Sequence, residues 1–286
     1  MSIYHHSPIG HIQHVELKVL DLAISIPFYT QKLGFMVLER TADFVRLGTV
    51  DGFPILTLRQ LTNGTRKPPR TAGLYHVAIL VPSRADLGQL LIHLVNAKVP
   101  LQGASDHMIS EAIYLADPDG NGIELAADTN PAKWPWVNGE LDILSGNGPM
   151  DVDAVVAEAK PQPFTGLPSG TLLGHLHLHA SDLEPMRKFY TDGLGMDVVI
   201  NLPRSAIFMS YGKYHHHLAA NVWNGVGAKP EPATSAGLSY AEVRLPDDLS
   251  IQTIAERLNA LKAPVELEDH GLWSTDPSGN RIHVVA

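Results

Sequence analysis

Cysteine is absent from all 286 residues, which excludes disulfides, thiolate zinc sites, iron–sulfur clusters and a cysteine nucleophile. Any bound metal must be held by nitrogen and oxygen. Long apolar runs are also missing: none approaches the ~18 residues of a membrane span. The opening MSIYHHSPIGHIQH lacks the basic-then-apolar pattern of a secretory signal. A cytoplasmic protein with no membrane partner is therefore expected. No basic run appears and the net charge is -9, which argues against a nucleic acid partner. With 44% hydrophobic and 18% charged residues the chain reads as soluble and globular, long enough for one large or two medium domains.

Histidine, by contrast, is abundant at 15 residues, and it is the commonest metal ligand and acid/base among side chains. Part of that number, as at His5 and His6, reads as surface accident.

The chain repeats itself. HVELKVLDL from His14 returns as HLHLHASDL from His175, and the pairs Asp21/Asp182, Phe28/Phe189 and Gly34/Gly195 keep the same offset of 161. A second pair interleaves: YHVAILVPS around His76 with YAEVRLPDD around Tyr240, and DPDGNGIE from Asp117 with DPSGNRIH from Asp276. Between the matched ends run apolar residues at three and four spacing, as in LGQLLIHLVNAKV and IQTIAERLNALKA. Each unit thus predicts strand, helix and a three-strand meander, over 10–61, 73–128, 173–224 and 237–286. The fold class is α+β, built of four βαβββ modules. Residues 129–172, with Trp134, Trp136 and the helical run DVDAVVAEAK, read as a strap packed on the surface with a boundary near 150. The expected division is 1–128 for units one and two, 129–172 for the strap, and 173–286 for units three and four.

The segment HMISEAIYLADPDGNGIE, His107 to Glu124, carries the most chemistry. Alternating apolar residues around DPDGNG predict an antiparallel hairpin, with Asn121, Gly120 and Gly122 making the turn. Tyr114 and Glu124 then project toward a common cavity. A carboxylate between Ile123 and Leu125 is costly to bury unless a cation or donors meet it, so Glu124 is a candidate metal ligand, against the commoner case of a solvent-facing strand glutamate. First strands open on His14, His76 and His175 in units one to three, but on Tyr240 in unit four, whose last strand carries His283 in place of Glu124. Two imidazoles and one carboxylate make the facial triad of non-haem Fe(II) oxygen chemistry.

These residues make the chain resemble the vicinal oxygen chelate (glyoxalase/bleomycin resistance/dioxygenase) superfamily, and within it the extradiol catechol 2,3-dioxygenase type. The likeness covers all four units and implies that the βαβββ modules pair into two curved-sheet cups; Ser105 departs from the usual residues at its place in the hairpin signature. The resemblance implies Fe(II) or Mn(II) as cofactor, with His76 and Glu124 as ligands and His107 and Tyr114 as donors to dioxygen or substrate oxygens. It puts His216, in the run His215, His216, His217, in the acid/base place, with the neighbours pointing away. It implies a small aromatic diol, catechol- or hydroquinone-like, and O2 as substrates.

The third ligand is His175 if unit two meets unit three, and His14 if consecutive units pair as the family usually does. Unit four cannot complete unit three. The partner unit comes from this chain or from a second copy, which leaves a homo-oligomer open. His175, His177 and His179 share one strand face but cannot all bind one ion, so at least one is expected to satisfy backbone carbonyls. Two alternatives stand beside the dioxygenase: a glyoxalase-like metal isomerase or thiol transferase using Zn, Ni or Mn, which needs a second carboxylate or a cationic pocket, and a metal-free module that binds an aromatic ligand.

Overall fold

The computed structural model describes residues 2–286, and each unit in it has the expected strand, helix and meander. Unit two, for example, runs through Gly73–Leu80, the helix Arg84–Asn96, and strands Leu101–Asp106, Ser110–Ala116 and Gly122–Asp128. Unit three runs through Leu172–His179, the helix Leu183–Lys188, and strands Asp197–Leu202, Ala206–Ser210 and Leu218–Asn221. The helices start where a side chain caps free backbone N–H groups: Asp21 and Asp182 in units one and three, Ser83 and Ser250 in units two and four. The duplication therefore extends to the capping chemistry. No helix among the described residues is long and apolar enough to cross a membrane.

The strands form two large sheets, and each takes one unit from either side of the strap. In the nine-stranded sheet Gly73–Leu80 of unit two runs antiparallel to Leu172–His179 of unit three. In the eight-stranded sheet His11–Val19 of unit one pairs the same way with Gly237–Arg244 of unit four. Units one and two therefore do not share a sheet, nor do three and four. Consecutive units are held by a different contact, repeated twice. The Tyr29 hydroxyl donates to Asp117 Oδ2 at 3.1 Å, and Tyr190 donates to Asp276 Oδ2 at 3.0 Å. One continuous core takes Val15, Val77, Leu176 and Val243 from the four units, so the inward faces of both sheets bury against a common interior.

The strap is more than a tether. Gly148–Pro149 adds a short strand to the edge of the nine-stranded sheet beside Leu101–Asp106. The helix Val152–Ala157, capped by Asp151, packs on the unit-two helix at Gly88, where a Cβ would stand 2.3 Å from the Val155 carbonyl. Trp134 is buried against Tyr214 and Ile109.

Candidate metal centre

Alternation sorts the side chains of the nine-stranded sheet. Leu176 and Leu178 enter the core, while His175 and His177 line a cavity on the opposite face, with a volume of about 470 Å³. Parallel pairing of Gly73–Leu80 with Gly122–Asp128 sets Ala78 beside Glu124, and the hairpin register places Tyr114 directly opposite Glu124. The antiparallel pair sets His177 opposite His76 and His175 opposite Ala78, and alternation puts His175 on the same face as His177.

At the buried end of this cavity His76 Nε2 lies 2.9 Å from Glu124 Oε2, His175 Nε2 lies 3.3 Å from the same oxygen, and the two Nε2 atoms are 3.3 Å apart. Donors about 2.1 Å from one ion are separated by about 3.0 Å at a right angle and about 3.4 Å at a tetrahedral one. The triangle fits a single divalent ion bound on one side, with its other positions free. Protons alone serve it poorly: if both imidazoles donate to Glu124, two N–H groups face each other at 3.3 Å. Burial pushes the Glu124 carboxyl up, but the facing His175 and His76 rings outweigh it and hold it well below the usual carboxylate range.

Around the triangle stand the other expected residues. Tyr114 Oη is 2.7 Å from His107 Nε2, and the far nitrogen of His107 is 2.6 Å from Asn147 Oδ1 in the strap. Burial and the Glu124 charge raise the Tyr114 pKa, keeping it a phenol. The His216 ring lies 4.0 Å from that of His175, and burial holds it well below the usual histidine range, hence neutral.

Several expectations fail in detail. His14, the rival ligand, stands in the other sheet opposite Glu242 with Nε2 3.0 Å from Thr57 Oγ1, because first strands pair two with three and one with four. His283 is likewise engaged, by Glu242 at 2.8 Å and by Trp273 stacked on its ring. Of the strand histidines, His177 accepts from Asn221 Nδ2 and His179 Nδ1 faces Asn221 Oδ1, so one amide side chain, not backbone carbonyls, satisfies both. His5 is buried, with Nε2 2.8 Å from the Gly174 carbonyl; His6 is exposed as expected. His215 does not turn away from His216: their Nδ1 atoms are 2.9 Å apart. Asn147 and Ile143 of the strap also line the cavity, and nothing in the local sequence marks them as its wall. Asp128 did leave a signal, sharing the strand face of Glu124 four residues on.

Nearly the whole chain is matched by a relative: 270 residues align at 38% identity with a Bacillus subtilis (strain 168) protein named catechol-2,3-dioxygenase, covering 93% of this chain and 94% of that one. The chain belongs to the glyoxalase/bleomycin resistance protein/dioxygenase superfamily. The profile of that superfamily matches residues 11–125. A second member, biphenyl-2,3-diol 1,2-dioxygenase 3 of Rhodococcus globerulus, is 31% identical over 157 residues, 52% of this chain and 80% of its own. Among solved structures of the superfamily's fold, glyoxalase I from Zea mays superposes with a TM-score of 0.58 at 17% identity, over 96% of this chain and 92% of its own. That likeness concerns the fold alone. Among the described residues Glu124 is the single acidic one lining the cavity, and no lysine or arginine lines it.

Proposed function

We propose that this superfamily member is a metal-dependent extradiol dioxygenase that opens the ring of an uncharged aromatic diol with O2. The observation that carries the reading is the convergence of His76, Glu124 and His175 at the closed end of a cavity that also receives His216 and the His107–Tyr114 pair. His76, Glu124 and His175 would hold Fe(II) or Mn(II), which when bound would supply the Lewis acidity and the redox chemistry that join a diol to O2.

The chain's own residues do the rest. Neutral His216 takes a proton from a substrate hydroxyl, a task suited to an imidazole kept unprotonated by burial. Tyr114, held by His107, hydrogen-bonds to a substrate oxygen. Ile109, Ile200, Leu202 and Phe208 cover the faces of the ring and exclude water. With no lysine or arginine in the lining, a carboxylate or sulfonate on the ring would be desolvated without a partner, which favours hydrogen, alkyl or aryl substituents.

A glyoxalase-like isomerase finds neither the second carboxylate nor the cationic pocket it needs in this lining. The deciding experiment is anaerobic reconstitution with Fe(II) or Mn(II), then a catechol and hydroquinone panel under an oxygen electrode. Stoichiometric O2 uptake with a ring-opened product is expected. Tight diol binding that survives chelation, with no O2 uptake, would replace the enzyme by a binding module.

A further inference from the structure

Asp128 ends the strand Gly122–Asp128 and accepts from two groups of unit three through one oxygen: His215 Nε2 at 2.9 Å and the Tyr214 hydroxyl at 3.3 Å. His215 is 1% exposed, and its Nδ1 lies 2.9 Å from Nδ1 of His216. The Trp134 ring stands edge-on to His215 at 5.1 Å, so the strap closes this side of the chain of contacts. The His216 ring is fixed between His175 at 4.0 Å and the Phe208 ring at 5.0 Å and 86°.

Proton positions follow from the carboxylate outward. A carboxylate only accepts, so the nitrogen facing Asp128 carries hydrogen and His215 is Nε2–H. In the neutral ring Nδ1 is then bare, and its contact with His216 requires the hydrogen on the His216 side. His216 is thereby Nδ1–H, and its bare nitrogen is Nε2.

The geometry points to Asp128 and His215 as positioning residues that together set the tautomer of His216, so that the nitrogen it offers a substrate hydroxyl is the unprotonated one. The inference rests on the acid/base reading of His216 given above. A carboxylate that fixes a catalytic imidazole through its far nitrogen is worth up to about 10⁴ in rate in serine proteases. Here it acts through one more imidazole, and about 100-fold is expected.

The test uses the full chain enriched with 15N in histidine and loaded with diamagnetic Zn(II), with imidazole tautomers read by long-range 15N–1H correlation. Loss of signals in H216A assigns His216. The wild type should show His216 protonated at Nδ1 and bare at Nε2. In H215F and in D128A the proton should redistribute toward Nε2. The Fe(II)-loaded variants should lose about 100-fold in kcat, with KM and bound metal within about twofold of wild type, a split that loosened packing would not produce. Should H215F not fold, D128A carries the comparison. A wild-type His216 protonated at Nε2 overturns the proposal, as does an H215F protein with the wild-type tautomer and kcat. A wild type that cleaves no diol but shows the Nδ1–H pattern, lost in D128A, refutes the reaction and supports the tautomer control.

Discussion

The Nε2 atoms of His76 and His175 stand 3.3 Å apart although 99 residues separate them, and Glu124 Oε2 completes the triangle with both. Each histidine belongs to a different unit, so the centre exists only where units two and three share a sheet. Replacing any corner should abolish it. H76A, E124A and H175A are each expected to retain less than about one tenth of the wild-type bound metal and no measurable O2 uptake, while H14A keeps both. Metal analysis after anaerobic loading decides the matter; full metal content in H175A would remove that residue from the set.

No lysine or arginine among the described residues lines the cavity, and this sets the order expected among diols. Catechol and its alkyl or aryl derivatives should exceed carboxylated diols by about 10-fold or more in kcat/KM, since an uncompensated buried anion is costly. Initial rates of O2 uptake across the panel provide the measurement. Preference for an acidic diol would contradict the assignment of these walls.

Tyr29 to Asp117 and Tyr190 to Asp276 are the same buried bond built twice, clamping unit one on two and unit three on four. Y29F and Y190F should each cost about 1–2 kcal/mol in urea unfolding at unchanged m-value, and the two costs should add. Neither change should alter bound metal, because both clamps lie on the side of the sheets away from the cavity wall.

His5 couples stability to pH. Burial lowers its pKa to about 4, with the Gly174 carbonyl pulling the other way. The unfolded chain protonates this ring near ~6.5 and the folded chain resists it, so the contribution is fully present above about pH 6.5 and is lost as pH falls toward 4. A shift of this size corresponds to about 3 kcal/mol. H5F should flatten the fall in unfolding free energy between pH 7.5 and 4.5, while lowering stability at pH 7.5 through the unpaired Gly174 carbonyl. An unchanged pH slope would exclude His5 as its source.

Much of this was legible in the residues. The strict offset between His14 and His175, or Asp21 and Asp182, marks a duplicated unit, and period-two alternation puts Tyr114 with Glu124 and His175 with His177 on shared faces. Local chemistry carries such information, because side-chain direction along a strand depends only on neighbours in sequence.

By itself, then, the sequence determined the four units, their internal order, the oxygen and nitrogen character of any metal site, and the hairpin that presents Glu124. Only the tertiary structure decided that His175 and not His14 meets His76, that His215 reaches Asp128 across 87 residues, and that the strap brings Asn147 to His107. The reason is that strands pair through backbone groups common to every residue, so two homologous first strands are equivalent partners until loops and a shared core select which edges meet.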